Sequence, residues 1–485
     1  MIKIIAEISK YLLLFLMIFF TLEIFIGLSQ KNEDMRKNCM RKQMLFLLLF
    51  NFVAYFIMFL QTNDIVMLLL YVSVVFYVLL IHRMYCLFYK KASFILVNIM
   101  CMLLSIGFII QIRLDVSTAI KQFIIVAGAS VFSFIIPVFV KKVKLVKNLH
   151  FVYSILGLLL LTLVFLFAQV NGGGKLSINI GGISFQFSEF VKITFVFFIA
   201  SMLQKVITFR QVFWVTVIAG IHMVILTMSK DLGAALIYFV AYIVMVYVAT
   251  KQNIYALLGL SSISVTSIIA CRLFAHVRSR IRIWKNPFFD YQNTGYQIAQ
   301  ALFGICSGSW FGTGLFAGSP NMIPLAKEDF TFAAICEEMG ILFAICLILL
   351  CMCTYVLIVN IAIKIRENFY KLIAIGLSTE YAFQVFLTIG GTTNLIPMTG
   401  ITLPLISYGG SSVMCTIMMF AIIQGLYLLK KDEDEELEEK GEKQTTSKQL
   451  KKKNDHSDRG KKALEREAEN LERKIEKQTE KSFNW

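Results

Sequence analysis

Residues 323–340 read IPLAKEDFTFAAICEEMG and run directly into ILFAICLILLCMCTYVLIVNIAIK at 341–364. The second piece is long and apolar enough for a membrane-crossing helix, which needs about 20 such residues. The spacing predicts a span beginning near residue 330, with Glu328 and Asp329 at its head and Glu337 and Glu338 inside it. An acid at the centre of a spanning helix costs about 2.5–3.5 kcal/mol on insertion scales, so ionisable groups there mark a polar cavity between helices. On an ideal helix Asp329 and Glu337 differ by about 80° in rotation and about 12 Å in rise.

Runs of this kind fill the chain. Its 485 residues are 58% hydrophobic with 43 Phe, and the mean hydropathy is +0.72. That is too much apolar surface for a soluble fold, and no long alternation of period two suggests a barrel. Candidate spans begin near residues 10, 44, 65, 93, 120, 151, 188, 212, 231, 254, 330, 371 and 402, which gives an all-α polytopic membrane protein of about 13 transmembrane helices. The run within residues 1–29 is followed by no small-residue cleavage site and reads as a retained helix.

The net charge of +16 reports topology rather than nucleic-acid binding. From Lys430 onward there are 16 basic and 16 acidic residues, so the excess lies wholly in the apolar part. It gathers in KNEDMRKNCMRK (31–42), HRMYCLFYKK (82–91), KKVKLVK (141–147), KVITFR (205–210) and KIRENFYK (364–371), which occupy alternate connections. The positive-inside rule makes that side cytoplasmic, with the N-terminus outside and the tail inside. The opposite side then carries the Gly-rich NGGGKLSINIGGISFQF (171–187) and a long extracellular loop between residues 275 and 328. The tail, 431–485, has the composition of a largely disordered extension or a short helix, with Leu464, Leu471 and Ile475 as a thin apolar stripe.

Ten scattered cysteines without a CxxC exclude a disulfide framework, and five isolated histidines argue against a His-based metal site. GTGLFAG (312–318) follows no strand and lacks the GK[ST] ending of a phosphate loop. The long loop instead offers Arg278, Arg280, Arg282 and Lys285, closed by Lys327, Glu328 and Asp329. Cations beside a carboxylate suit a phosphate or pyrophosphate substrate and a general base; equally, the arginines snorkel at the interface and pair with the acids. Glu189 with Lys192 and Asp231 with Lys230 repeat the theme at two helix starts, where capping and ion pairing are the simpler roles.

Five fragments in order, GGGKLSINIGGISFQFSEFVK, SKDLGAAL, NPFFDYQNTGYQIAQALFGICSGSWFGTGL, IPLAKEDFTFAAICEEMG and NLIPMTGITLPLISYGGSS, resemble the SEDS family (FtsW, RodA, SpoVE) over about residues 93–430. The resemblance implies a ten-helix catalytic core at 93–430, with three additional helices in 1–92 and the charged tail outside it. It implies a peptidoglycan glycosyltransferase that polymerises lipid II at the outer face of the bacterial cytoplasmic membrane, displacing undecaprenyl pyrophosphate with inversion. The family's essential acid matches Asp329, and its GEELG motif matches Glu337 and Glu338. Glu189, Lys192, Lys230, Asp231, Tyr296, Gln297, Ser407 and Tyr408 fall in matching motifs and are expected, with Arg278, Arg280, Arg282 and Lys327, to bind substrate. Lys327 and Glu328 stand where the family carries His and Thr, Phe187 and Lys230 where it carries Pro, Thr388 where Asn is common, and Ser177 where many members have Trp.

The sequence establishes no cofactor; a divalent cation, Mg²⁺ or Mn²⁺, bridging the pyrophosphate to carboxylates would suit this leaving group. The family's partners are a class B penicillin-binding protein and other divisome or elongasome membrane proteins. Two other readings remain open: a flippase or transporter for a lipid-linked precursor, and a non-catalytic scaffold of the wall-synthesis machinery.

Overall fold

The structure, a computed structural model, describes residues 2–482 apart from 31, 143–146, 172–173, 181–182 and 206. Four residues of KKVKLVK and two Gly pairs of the 171–187 connection therefore lie outside the described residues. The chain forms two units, Met1–Leu428 and Leu429–Trp485.

Twelve helices among the described residues are long and apolar enough to cross a membrane. The first unit opens with α1 (Ile2–Ser29), α2 (Glu33–Thr62) and α3 (Val66–Phe88), then α4 (Phe94–Leu114). A span divided at residues 134–135, just before Pro137, follows as α5 (Val116–Ser133) and α6 (Ile136–Lys142). Next come α7 (His150–Phe167), α8 (Phe187–Met202), α9 (Phe209–Met228), α10 (Leu232–Thr250) and α11 (Asn253–Leu273). The long connection carries α12 (Ala275–Lys285) and α13 (Tyr296–Gly308), and the bundle closes with α14 (Thr331–Met339), α15 (Ile341–Lys364), α16 (Asn368–Thr392) and the first part of α17 (Gly410–Ser482).

Three features differ from the sequence reading. The span expected from residue 330 is broken at Gly340, whose φ of +86° ends α14 before α15 starts. A left-handed backbone at that point needs glycine. α8 occupies the expected span near 188 with 16 residues, at the short limit for a crossing. The Gly-rich connection contains a three-stranded antiparallel sheet, β1 (Gln169–Asn171), β2 (Gly174–Ile180) and β3 (Ile183–Phe185), paired Gln169 to Ser177 and Ile178 to Phe185.

α4 is the axis of the unit. Its residues 95–112 are all buried, as befits a helix apolar on every side. In lipid there is little hydrophobic drive for helices to associate, so close packing and interhelical hydrogen bonds decide register. Asn51 of α2 donates to Ser105 Oγ at 3.0 Å, and Asn98 donates to Gln43 Oε1 at 3.1 Å. Gln43 donates in turn to the Glu23 carbonyl, and Lys42 pairs with the Glu23 carboxylate at 2.9 Å, which ties α1 to α2. At the other side of α4 the non-helical stretch 401–407 is almost wholly buried. Such backbone is tolerated at membrane depth only inside protein.

The second unit is helical through Ser482, with i,i+4 pairs Lys430–Asp434 and Lys440–Glu436. Leu464, Leu471 and Ile475 are exposed.

A Cβ added at Gly107 would lie 2.8 Å from the Leu405 carbonyl oxygen and 2.9 Å from Ile406 Cα. Gly107→Val should therefore force α4 off the 401–407 stretch and lower stability by about 1–3 kcal/mol. Thermal unfolding in detergent, followed by size-exclusion fluorescence, reads this as a fallen midpoint. Gly128→Val, with nothing within 4 Å of the new Cβ, is the control expected to stay near wild type.

Candidate active site

The turn that carries Asp329 is built by residues 325–330. Leu325 adopts φ +55°, and its carbonyl accepts from the amides of Glu328 and Phe330. Three other elements pin this turn by its main chain. The Lys327 carbonyl accepts from Gln111 Nε2 of α4 at 2.9 Å and from the Tyr408 amide at 2.7 Å, and the Asp329 carbonyl accepts from Thr392 Oγ1 of α16 at 3.2 Å.

The Asp329 side chain meets α12 across the 399–400 segment. Arg280 donates through Nη1 to the Thr399 carbonyl at 3.1 Å. Gly400, at φ +76°, leaves open a position only 3.5 Å from Asp329 Oδ2 and 3.9 Å from Arg280 Nη2, where any other residue would place its Cβ. Burial raises the Asp329 carboxyl to about 6, the charge of Glu328 adds to the rise, and Arg280 opposes it. Arg280 also feels Asp231, and Lys230 and Arg280 both act on His276. One guanidinium thus interacts electrostatically with two carboxylates that are 98 residues apart in sequence.

Asp231 caps α10 through the Ala234 amide at 3.1 Å and accepts from Ser188 Oγ at 3.0 Å and Gln186 Nε2 at 3.3 Å. Burial raises its carboxyl, while these donors hold it down. Lys230 beside it is exposed at φ +64°. Glu189 and Lys192 lie deeper, paired at 2.7 Å on α8, and Lys192 donates to Gln384 Oε1 at 2.7 Å. They line a small cavity with Glu380, Tyr381, Cys415 and Thr416.

The acids of α14 face elsewhere. Glu338, fully buried, accepts from Arg113 Nε at 2.6 Å, and Arg113 Nη2 reaches the Gly318 carbonyl at 3.0 Å with its guanidinium over the Phe316 ring. Burial raises the Glu338 carboxyl to about 7 against the pull of Arg113. Glu337 accepts from the Ser319 amide at 2.6 Å, and the carbonyls of Glu337 and Glu338 accept from the amides of Thr313 and Gly314. Both glutamates therefore clamp the 309–319 loop onto the break at Gly340, and GTGLFAG serves as the strap they hold.

Of the three arginines expected to form a clamp, only Arg280 faces Asp329. Arg278 is exposed and turns back to the Arg272 carbonyl, and Arg282 is exposed one helical turn on. Residues 278 and 282 share a helix face that 280 does not. Lys327 pairs with Asp115 at 2.7 Å. Tyr296 packs against Tyr291, Gln297 is exposed, and Ser407 is buried with Oγ donating to Thr331 Oγ1 at 3.0 Å. Tyr408 contributes its amide to the Asp329 turn. The sequence reading missed Gln111, Arg113 and Asp115, although a charged pair closing the apolar run QIRLD was a visible signal.

Fold and site together define a polytopic membrane protein whose titratable cluster lies where broken helices meet. The chain belongs to the FtsW/RodA/SpoVE family of cell cycle proteins, whose profile matches residues 85–431. Its relatives include peptidoglycan glycosyltransferase RodA of Mycobacterium tuberculosis (strain ATCC 25618 / H37Rv), 33% identical over 61% of this chain and 67% of that protein. The probable peptidoglycan glycosyltransferase FtsW of Bacillus subtilis (strain 168) is 30% identical over 68% of this chain and 87% of its own length. The fold matches RodA of Thermus thermophilus with a TM-score of 0.51 at 21% identity, covering 69% of this chain and 96% of that one. A structure described as a peptidoglycan synthase complex coordinating polymerization and crosslinking matches with a TM-score of 0.59 at 22% identity, over 69% of this chain and 97% of that one.

Breaking the Arg113–Glu338 pair from one side strands a buried charge, which costs about 3–5 kcal/mol. Arg113→Met should lower the thermal midpoint sharply, and adding Glu338→Gln should recover much of the loss. Equal midpoints for single and double variants would contradict the clamp.

Proposed function

We propose that this chain, a peptidoglycan glycosyltransferase, polymerises lipid II with Asp329 as the general base. The observation that carries the reading is the carboxylate itself: half-buried, raised to about 6, and set beside one guanidinium across the side-chain-free Gly400. A base whose proton affinity lies near working pH accepts a hydroxyl proton effectively. The 4-hydroxyl of the acceptor N-acetylglucosamine would give its proton to Asp329 as its oxygen attacks the donor's anomeric carbon. The bond from that carbon to undecaprenyl pyrophosphate breaks, the electron pair leaves with the pyrophosphate, and the configuration inverts. Arg280 is the cation placed to offset the charge that develops.

The alternation of basic connections supports an orientation with this site at the outer face of the bacterial cytoplasmic membrane and the tail in the cytoplasm. A class B penicillin-binding protein is the proposed partner for cross-linking. Among the described residues no three His, Cys, Asp or Glu side chains converge as a metal site. Mg²⁺ or Mn²⁺ would serve in this proposal as a counter-ion of the pyrophosphate leaving group.

Purified full-length protein supplied with lipid II should form glycan polymer, and Asp329→Asn should reduce the rate by about 10²–10⁴-fold. Because the unprotonated carboxylate is the active form, activity should rise as pH increases through about 6. Lipid II translocation without polymer would favour a flippase. Asp329→Ala cells with normal growth and shape would favour a scaffold.

A further inference from the structure

We infer that Asp115 is a positioning residue for Asp329: it holds the Lys327 ammonium away from that carboxylate and helps fix the turn that carries it. The inference rests on the glycosyltransferase reading above.

Asp115 follows the last residue of α4 and caps α5. Its Oδ1 accepts from the Ser117 amide at 3.1 Å and Ser117 Oγ at 2.9 Å, and its Oδ2 accepts from Thr118 Oγ1 at 2.6 Å and Lys327 Nζ at 2.7 Å. Lys327 first, then these hydroxyl and amide donors, hold the Asp115 carboxyl well below the usual range, so the partner of Lys327 is a permanent anion. The main chain of Lys327 is gripped from α4 as well, by Gln111. The end of α4 therefore controls both the backbone and the charge of the residue two places before the base.

The charged groups around Asp329 show what that control achieves. Glu328 acts on it from its own turn and Arg280 from α12; Gln111 of α4 and Thr392 of α16 bring no charge. Beyond Arg280 stand Asp231 at the head of α10, Lys230 and His276. Lys327, nearer in sequence than any other cation, acts on Glu328, and its ammonium is paired with Asp115. Released from Asp115, its ammonium would have Glu328 and Asp329 as the neighbouring carboxylates, and a cation at Asp329 favours the ionised, weakly basic form. The pair itself is part-exposed, with side chains 39% and 32% accessible, so it contributes little to stability. Its work is local and electrostatic.

The test separates the cap from the ion pair, because Asn caps a helix as well as Asp does. Asp115→Asn in the full-length protein should keep the wild-type thermal midpoint and lower kcat about tenfold or more. The midpoint of its pH–rate profile should move down by about one to two units. Adding Lys327→Gln should return that midpoint to the wild-type value, a non-additive result that a purely structural role does not give. Wild-type polymer formation that Asp329→Asn abolishes secures the reading independently. With that in hand, an unmoved pH midpoint in Asp115→Asn, or one that stays low in the double variant, overturns this inference alone.

Discussion

The grip of the α4 terminus on the chain that follows α13 is the constraint on which the rest of the site depends. A helix buried on every side has no tolerance for displacement, since its neighbours are close-packed along its whole length. Its end and the residue that caps it, QIRLD (111–115), turn that rigidity into polar contacts at a distance: Gln111 and Asp115 hold Lys327, and Arg113 holds Glu338. The segment from 327 to 338 is thus fastened at both ends to one immobile element. Asp329 lies within the fastened stretch, and its freedom is that of a single turn.

Two irregular stretches make such fastening necessary. Residues 309–330 and 394–409 leave the helical ladder where bare backbone would be costly, so each amide and carbonyl has to find a partner from the protein. Tyr408 joins the two, its amide donating to the Lys327 carbonyl; the Ile341 and Leu342 amides of α15 donate to the carbonyls of Ser309 and Trp310, and Ser407 donates to Thr331 of α14. The titratable groups of the site occupy the interstices of this weave. Polar side chains, among them Glu189, Lys192 and Gln384, form a separate, deeper layer.

Much of the helical framework was legible in the sequence because each span is a local property. About 20 apolar residues in a row need no tertiary information, and nine of the twelve long helices begin within four residues of where hydropathy places them; α2, α15 and α17 begin eight to eleven residues away. The break at Gly340 was missed because an apolar run reads the same with or without a left-handed glycine in it. The site was legible only in its types of residue. Three arginines spaced by two suggested a shared clamp, but α-helical rotation sends Arg278 and Arg282 away from Arg280. Glu337 and Glu338 looked like part of the same site as Asp329, yet their partners are Arg113 and the Ser319 amide. Asp115 and Lys327 are 212 residues apart, and Arg113 and Glu338 are 225 apart. No window-based reading reaches across that separation.

Gly400 has a meaning beyond its backbone angle. Asn is often accepted at a positive φ, so conformation alone leaves residue 400 some latitude. The space between the Asp329 carboxylate and the Arg280 guanidinium removes it. The first side-chain atom there would stand within 3.9 Å of both charged groups. A methyl at this point would come into van der Waals contact with both the acid and the cation, on a backbone already strained for any residue but glycine. Residue 400 is thus constrained twice, by its backbone angle and by the two charged groups that its first side-chain atom would touch.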